Sequence, residues 1–148
     1  MRKLNLSKLP IPQGHIFALV VGTILHIWRP LENFTRGWPR HLFGWLIFSA
    51  GFLLAAWSVA AVNEIEVDRP TALISTGPYA FSRNPMYLAW DLLVLSLALL
   101  VNTRWLILLL PGLLIFTHYF VILREESQLA QRFGAQYRAY CAQVRRYL

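Results

Sequence analysis

From Leu42 to Val62 the chain runs without a single Asp, Glu, Lys or Arg. In hydrocarbon such a segment can satisfy its backbone only as a helix, and roughly 20 apolar residues cross about 30 Å of bilayer core. Three further apolar stretches lie at about 14–28 (short), 86–101 and 105–123. Asn102-Thr103-Arg104 separates the last two and leaves room only for a tight helical hairpin. Pro111 inside the fourth stretch predicts a kink there. Trp28-Arg29-Pro30, rather than a small-x-small cleavage site, follows the first stretch, which is therefore read as a span. With 57% hydrophobic and 14% charged residues, the chain lacks the charged helix faces that a large soluble helical core needs. The expected fold class is all-α: one domain over residues 1–148, built as an integral membrane bundle of about four transmembrane helices.

Lys/Arg counting orients the bundle. With four spans, one side carries Arg2, Lys3, Lys8, Arg69, Arg83, Arg124, Arg132, Arg138, Arg145 and Arg146, and the other only Arg29, Arg36, Arg40 and Arg104. Ten against four places both termini and the 63–85 segment in the cytosol, as in a multi-pass protein of the inner or cytoplasmic membrane. The net charge of +7 lies in short loops and termini, where anionic headgroups are the simpler partner, so nucleic acid is not expected. A lone Cys141 excludes an internal disulfide, and four histidines without His-x-x-x-His spacing argue against a metal site. A soluble nucleotide domain is excluded by the lack of a Gly-x-Gly-x-x-Gly loop.

Candidate chemistry concentrates in three places. The first is residues 73–87, where Gly77-Pro78, Asn84-Pro85, two tyrosines and Arg83 abut an apolar run; a plain connector needs only a few solvated residues. The second is Glu125-Glu126, where the fourth span emerges; Glu125 shares a helical face with Leu129 and Phe133 and can point back into the bundle. The third is Asp91, one turn inside the third span on the face of Tyr87, with His118 at similar depth in the next helix. Asp91 and His118 either act directly or pair with each other. His15 and His26, near the ends of the first span, read as interfacial anchors. Beyond Arg124, Leu129, Phe133, Tyr137, Tyr140 and Val144 form one apolar stripe of an amphipathic C-terminal helix, bent at Gly134, which lies on the bilayer or caps the spans.

Gly77-Pro78-Tyr79, then Arg83-Asn84-Pro85-Met86-Tyr87, a helical hairpin, and Glu125-Glu126-Ser127-Gln128-Leu129 with Phe133-Gly134 and Tyr137 together resemble the isoprenylcysteine carboxyl methyltransferase and phospholipid methyltransferase superfamily. The resemblance covers roughly residues 62–144. It implies S-adenosylmethionine as cofactor, bound between about 64–90 and 118–140, and an apolar or lipid-like acceptor arriving from the bilayer. By position, Thr71, Ala72, Leu73 and Ile74 would line the cofactor with backbone groups, Tyr79 would contact it, and Asn84, Pro85, Met86 and Tyr87 would form the opposing wall. Glu125 would anchor it, and Glu64 falls where a further polar contact can occur.

The chain departs from the family pattern at three positions. Asn84 stands where many members carry His, Arg145 where Pro is common, and Val121 where prenylcysteine enzymes carry a substrate-contacting Arg. Arg124, three residues on, is the nearest candidate for substrate binding. An amine acceptor must lose a proton, for which Asp91, Glu126 or His118 are the catalytic candidates. The alternatives are a non-catalytic membrane scaffold or subunit, and an NADPH-dependent membrane reductase. The short first span offers a surface for a homo-oligomer.

Overall fold

Residues 12–32, 38–62 and 72–148 are described by the computed structural model. Among them the apolar stretches become helices α1 (Gln13–Trp28), α2 (Trp38–Val62), α3 (Pro85–Leu100) and α4 (Arg104–Phe133), followed by the shorter α5 (Ala135–Gln143). No strand occurs among the described residues, and the chain is all-α. Proline sets two of these boundaries. Pro30 follows the end of α1, whereas Pro85 occupies the first turn of α3, where its fixed φ suits a helix and its missing N–H costs nothing. Between α3 and α4 the chain reverses through Asn102 at φ 58, in the left-handed region that Asn tolerates better than most residues.

The helices meet through small residues. Gly44, Gly51 and Ser58 recur every seventh position on α2 and are buried, and α2 packs most extensively on α3. A Cβ on Gly51 would lie 3.1 Å from the Ala89 carbonyl oxygen, so close approach needs glycine there. Helix α1 runs antiparallel along α4. Its C-terminal end is tied by Arg104 N–H donating to Leu31 O and Trp105 Nε1 donating to Arg29 O, both at 2.8 Å. Its other end brings Gly14 beside Leu113 and Phe116. Ala18, Val94, Ala98, Leu106 and Leu113 fill the space between α1, α3 and α4.

Large apolar side chains such as Phe17, Ile27, Phe43, Leu53, Leu108 and Phe120 point outward. Small residues inside and bulky apolar ones outside are what lipid, as solvent, selects. Two helices, Trp38–Val62 and Arg104–Phe133, are long and apolar enough to cross a membrane. Helices α1 and α3 are apolar but 16 residues each, so the expected count of four rests on these two.

Helix α4 departs from α-helical bonding at Thr117–Ile122, a π-helical stretch downstream of Pro111. Gly134, at φ 50, then ends it. The expected C-terminal stripe survives this break: Tyr137, Tyr140 and Val144 form a buried cluster joined by Leu73, Leu129 and Phe133. Through Leu73 the stripe packs onto the segment leading into α3.

Candidate functional site

The segment ahead of α3 is shaped by its turn residues. Gly77 has φ 61 and starts a 3₁₀ turn, Gly77–Ala80, while a Cβ at Gly77 would meet Trp57 Nε1 at 3.2 Å. Tyr140 Oη donates to the Tyr79 carbonyl at 2.7 Å, fastening the turn to α5. The C-terminal residues return to the same place. Arg83 N–H donates to Arg145 O at 3.0 Å, Asn84 Nδ2 to Arg146 O at 3.1 Å and Ser82 Oγ to Arg146 O at 3.3 Å. The Arg146 guanidinium grips Glu126 with two bonds, Nε at 3.0 Å and Nη2 at 2.8 Å, and Arg83 Nη1 lies 3.2 Å from the same carboxylate. Arg83 Nη1 also donates to Cys141 Sγ at 2.7 Å.

These ties enclose a cavity of about 450 Å³. Ala72, Leu73 and Ile74 line one side in non-helical conformation; Glu125, Leu129 and Phe133 of α4 and Tyr137 and Tyr140 of α5 line the other. Tyr79, Arg83 and Asn84 complete it. Burial, reinforced by the charge of Glu125, pushes the Tyr79 phenol up to about 12. Burial, with help from the neighbouring Cys141, likewise brings Tyr137 to about 12. Both phenols therefore stay neutral and able to donate at physiological pH. Arg83 Nε is buried with no hydrogen-bond partner, a donor left over at the cavity wall.

A second, larger cavity of about 770 Å³ lies between α1 and α4. Its walls are mostly apolar, with Phe17, Ala18, Val21, Leu109, Leu113 and Val121 among them, and its polar end holds His15, Tyr87 and Glu125. Tyr87 Oη donates to Glu125 Oε1 at 2.8 Å, and Glu125 lines both cavities. The π-helical stretch just before Glu125 shifts the angular register of everything after it, a device common at functional positions in long helices.

Of the residues expected at a cofactor, Ala72, Leu73, Ile74, Tyr79, Asn84 and Glu125 line the smaller cavity, and Tyr87 joins them through Glu125. Pro85 and Met86 connect Asn84 to Tyr87 and line neither cavity. Thr71 and Glu64 lie outside the described residues. Asp91 does not pair with His118. Its Oδ1 lies 2.8 Å from Nε2 of His15, because α3 turns this face toward α1, and His118 Nδ1 instead meets Tyr147 Oη at 2.6 Å. His15, expected as an interfacial anchor, is only 1% exposed. Glu126 lines the smaller cavity with its carboxylate already held by two guanidiniums, and Arg124 is exposed and lines neither cavity.

The sequence assigned no site role to Tyr137, Tyr140, Arg146 or His15, and Arg83 stood out only as part of the 73–87 segment. The two tyrosines announced themselves only as a packing stripe. Nothing local marks Arg146, whose partners lie 20 and more than 60 residues away.

The sequence model described as phospholipid methyltransferase matches residues 39–136, well over half of the chain. The chain belongs to the phospholipid methyltransferase family. Membership implies a membrane-associated methyltransferase. The matched region carries α2, α3, α4 and the turn segment ahead of α3, whereas α1, nearly all of α5 and the C-terminal residues fall outside it. Comparisons with curated proteins and with solved structures found no match. Two features of this phospholipid methyltransferase family member come from residues outside the matched region: the Arg146 guanidinium that closes over Glu126, and the buried His15 supplied by α1.

Proposed function

We propose that this protein transfers a methyl group from S-adenosylmethionine to a lipid-like acceptor at the cytosolic membrane face. The observation that carries this reading is Glu125: it is fixed by Tyr87 at 2.8 Å and borders both a polar, aromatic cavity and an apolar one. The smaller cavity suits the cofactor. Its volume of about 450 Å³ falls in the usual range of small-molecule sites, roughly 300–1,000 Å³. Its donors and acceptors suit it as well: a carboxylate for a hydroxyl or amine, the spare Arg83 Nε for a carboxylate, and Tyr79 and Phe133 as aromatic faces. Thr71, Ala72, Leu73 and Ile74 would supply backbone groups, with Asn84, Pro85, Met86 and Tyr87 as the facing wall.

When bound, S-adenosylmethionine supplies a methyl carbon made electrophilic by the adjoining sulfonium. The chain's own contribution is mainly to position and to dry the site. Holding two partners in line removes much of the barrier, and the apolar walls between α1 and α4 keep water from the attacking group. Arg83 and Arg146 act on Glu126 as positioning residues, holding the helix end that carries Glu125 against the turn segment. The Lys/Arg distribution supports a cytosolic site in a multi-pass domain, with α1 and α3 as the shorter spans.

Isothermal calorimetry tests this reading. S-adenosylhomocysteine is expected to bind the purified protein, and Glu125→Ala or Tyr87→Ala is expected to weaken it about tenfold, the scale of one hydrogen bond to a charged group. A wild-type protein that binds none of it, in detergent and in lipid alike, would overturn the assignment.

A further inference from the structure

Four buried polar side-chain atoms among the described residues have no hydrogen-bond partner. One of them, Arg83 Nε, borders the smaller cavity. The other three, His26 Nδ1, Arg40 Nε and Thr103 Oγ1, belong to the opposite end of the bundle. Packing brings these three to one place. A Cβ on Gly44 would meet the Leu100 side chain, and Arg40 stands one turn of α2 before it. A Cβ on Gly22 would meet Leu106, and His26 stands one turn of α1 beyond it. Both side chains therefore approach the α3–α4 turn, from two sides. Thr103 lies in that turn as the N-cap of α4; it is 1% exposed, and its hydroxyl makes no capping bond although it stands over the first N–H groups of the helix. A buried polar atom without a partner bears its full desolvation cost, so three of them at one turn point to a ligand that supplies the partner.

The same end is rich in positive charge. Residues 26–41 and 102–105 hold Arg29, Arg36, Arg40 and Arg104 against one acid, Glu32; Arg36 lies outside the described residues. Arg40 Nη1 donates to Leu100 O at 3.4 Å, and Arg104 Nη2 donates to Glu32 O at 2.8 Å. These carbonyl contacts hold the guanidiniums without neutralising them, and among the described residues no carboxylate pairs with Arg29, Arg40 or Arg104. The N-terminus of α4 adds the positive end of a long helix. Orientation does not require this charge, because the Lys/Arg balance favours the other side by ten to four. Exposed Trp28 and Trp38 flank the cluster, and tryptophan settles at headgroup depth. Exposed Ile27, Leu42, Phe43 and Val101 lie beside it on the bundle surface, where acyl chains run. His26 and Arg40 are half-buried, within reach of a ligand at that surface.

We infer that the α3–α4 turn, with His26 of α1 and Arg40 of α2, is a second ligand site, which holds the phosphate of an anionic phospholipid in the leaflet opposite the smaller cavity. A phosphate supplies what is missing there: its oxygens only accept, while the guanidiniums, the imidazole and the Thr103 hydroxyl can all donate. Free phosphate offers the same chemistry, but the tryptophans and the apolar surface beside the cluster select a phosphate that carries acyl chains. Charge selects the headgroup. A zwitterionic lipid brings a cation of its own to a site already positive, whereas an anionic one brings only the phosphate charge. The lipid bound there ties α1 and α2 to the α3–α4 turn and takes no part in methyl transfer.

Native mass spectrometry of the full chain in detergent tests this with three probes: phosphatidylglycerol, phosphatidylcholine of the same acyl chains, and inorganic phosphate. Wild type is expected to retain phosphatidylglycerol at least about tenfold more tightly than phosphatidylcholine, the scale of one charge-assisted contact, and to bind inorganic phosphate far more weakly. Arg40→Gln should weaken phosphatidylglycerol about tenfold, whereas Arg138→Gln, which removes an exposed charge from the other end, should leave it unchanged. Thr103→Val separates a ligand contact from a structural one. Without lipid it should unfold at the same temperature as wild type or higher, because an unmet hydroxyl is gone; with phosphatidylglycerol it should gain less stability than wild type does. Equal retention of the two lipids by wild type, or equal loss in Arg40→Gln and Arg138→Gln, would overturn the inference. So would a Thr103→Val protein that phosphatidylglycerol stabilises as much as wild type. Inorganic phosphate bound as tightly as phosphatidylglycerol would overturn the lipid as occupant.

Discussion

Glu125 faces two environments through one side chain, and Tyr87 fixes its position between them. The tyrosines around it are the residues whose chemistry the fold changes most measurably. Tyr79 and Tyr137 are both pushed up to about 12, first by burial. A phenol raised in the folded state leaves stability intact below its ordinary value near 10. Stability then falls between about pH 10 and 12, where the unfolded chain ionises and the folded one does not. Tyrosinate absorbance should therefore rise later with pH in the native protein than in the denatured one, and Tyr79→Phe should remove part of the late-titrating fraction; superimposed native and denatured curves would contradict this. At this scale the site was half legible. Glu125, Tyr87 and Asn84 stood out because polar side chains at the end of an apolar run must have partners. The His15–Asp91 pair could not be read, because 76 residues separate the two and only the packing of α1 on α3 and α4 brings them together. That same packing turned the expected Asp91–His118 contact into two separate ones.

Among the elements, the contact between α2 and α3 depends on what α2 omits. Gly51→Val would drive a branched side chain into the Ala89 carbonyl and Leu92, whose Cβ lies 3.1 Å from the added carbon, and should destabilise by about 1–3 kcal/mol in a reversible detergent unfolding assay. Gly112 is the control: a Cβ there meets nothing within 4 Å, so Gly112→Ala should be neutral or stabilising by up to about 1 kcal/mol. Equal effects at the two glycines would show that α2 and α3 do not pack as described. Helix existence was legible from apolar run length. The finer events were less so: Gly134 announced its break, whereas the π-helical stretch at Thr117–Ile122 left no mark distinct from Pro111. A π turn depends on how a helix is held by its neighbours, and that information is not local.

Across the whole molecule, the segment between α2 and α3 and the C-terminal residues close on each other through Arg83, Glu126 and Arg146. Removing one guanidinium from this triad should free the tail before it unfolds the bundle. Arg146→Ala is thus expected to raise amide hydrogen exchange at Arg83, whose N–H donates to Arg145 O, with little change in α2 or α3. A uniform increase over all helices would instead make the triad a global support. The closure lies beside the smaller cavity, proposed above for S-adenosylmethionine, so the decisive question is whether a methyl group passes from that cofactor to a lipid. The reconstituted protein should be incubated with methyl-labelled S-adenosylmethionine and a membrane lipid extract, and the lipid fraction then analysed by mass spectrometry. Label should appear in a lipid species with wild type and fall at least about tenfold with Glu125→Ala, the loss of one charge-assisted contact; lipids that stay unlabelled while S-adenosylhomocysteine binds would contradict the catalytic reading.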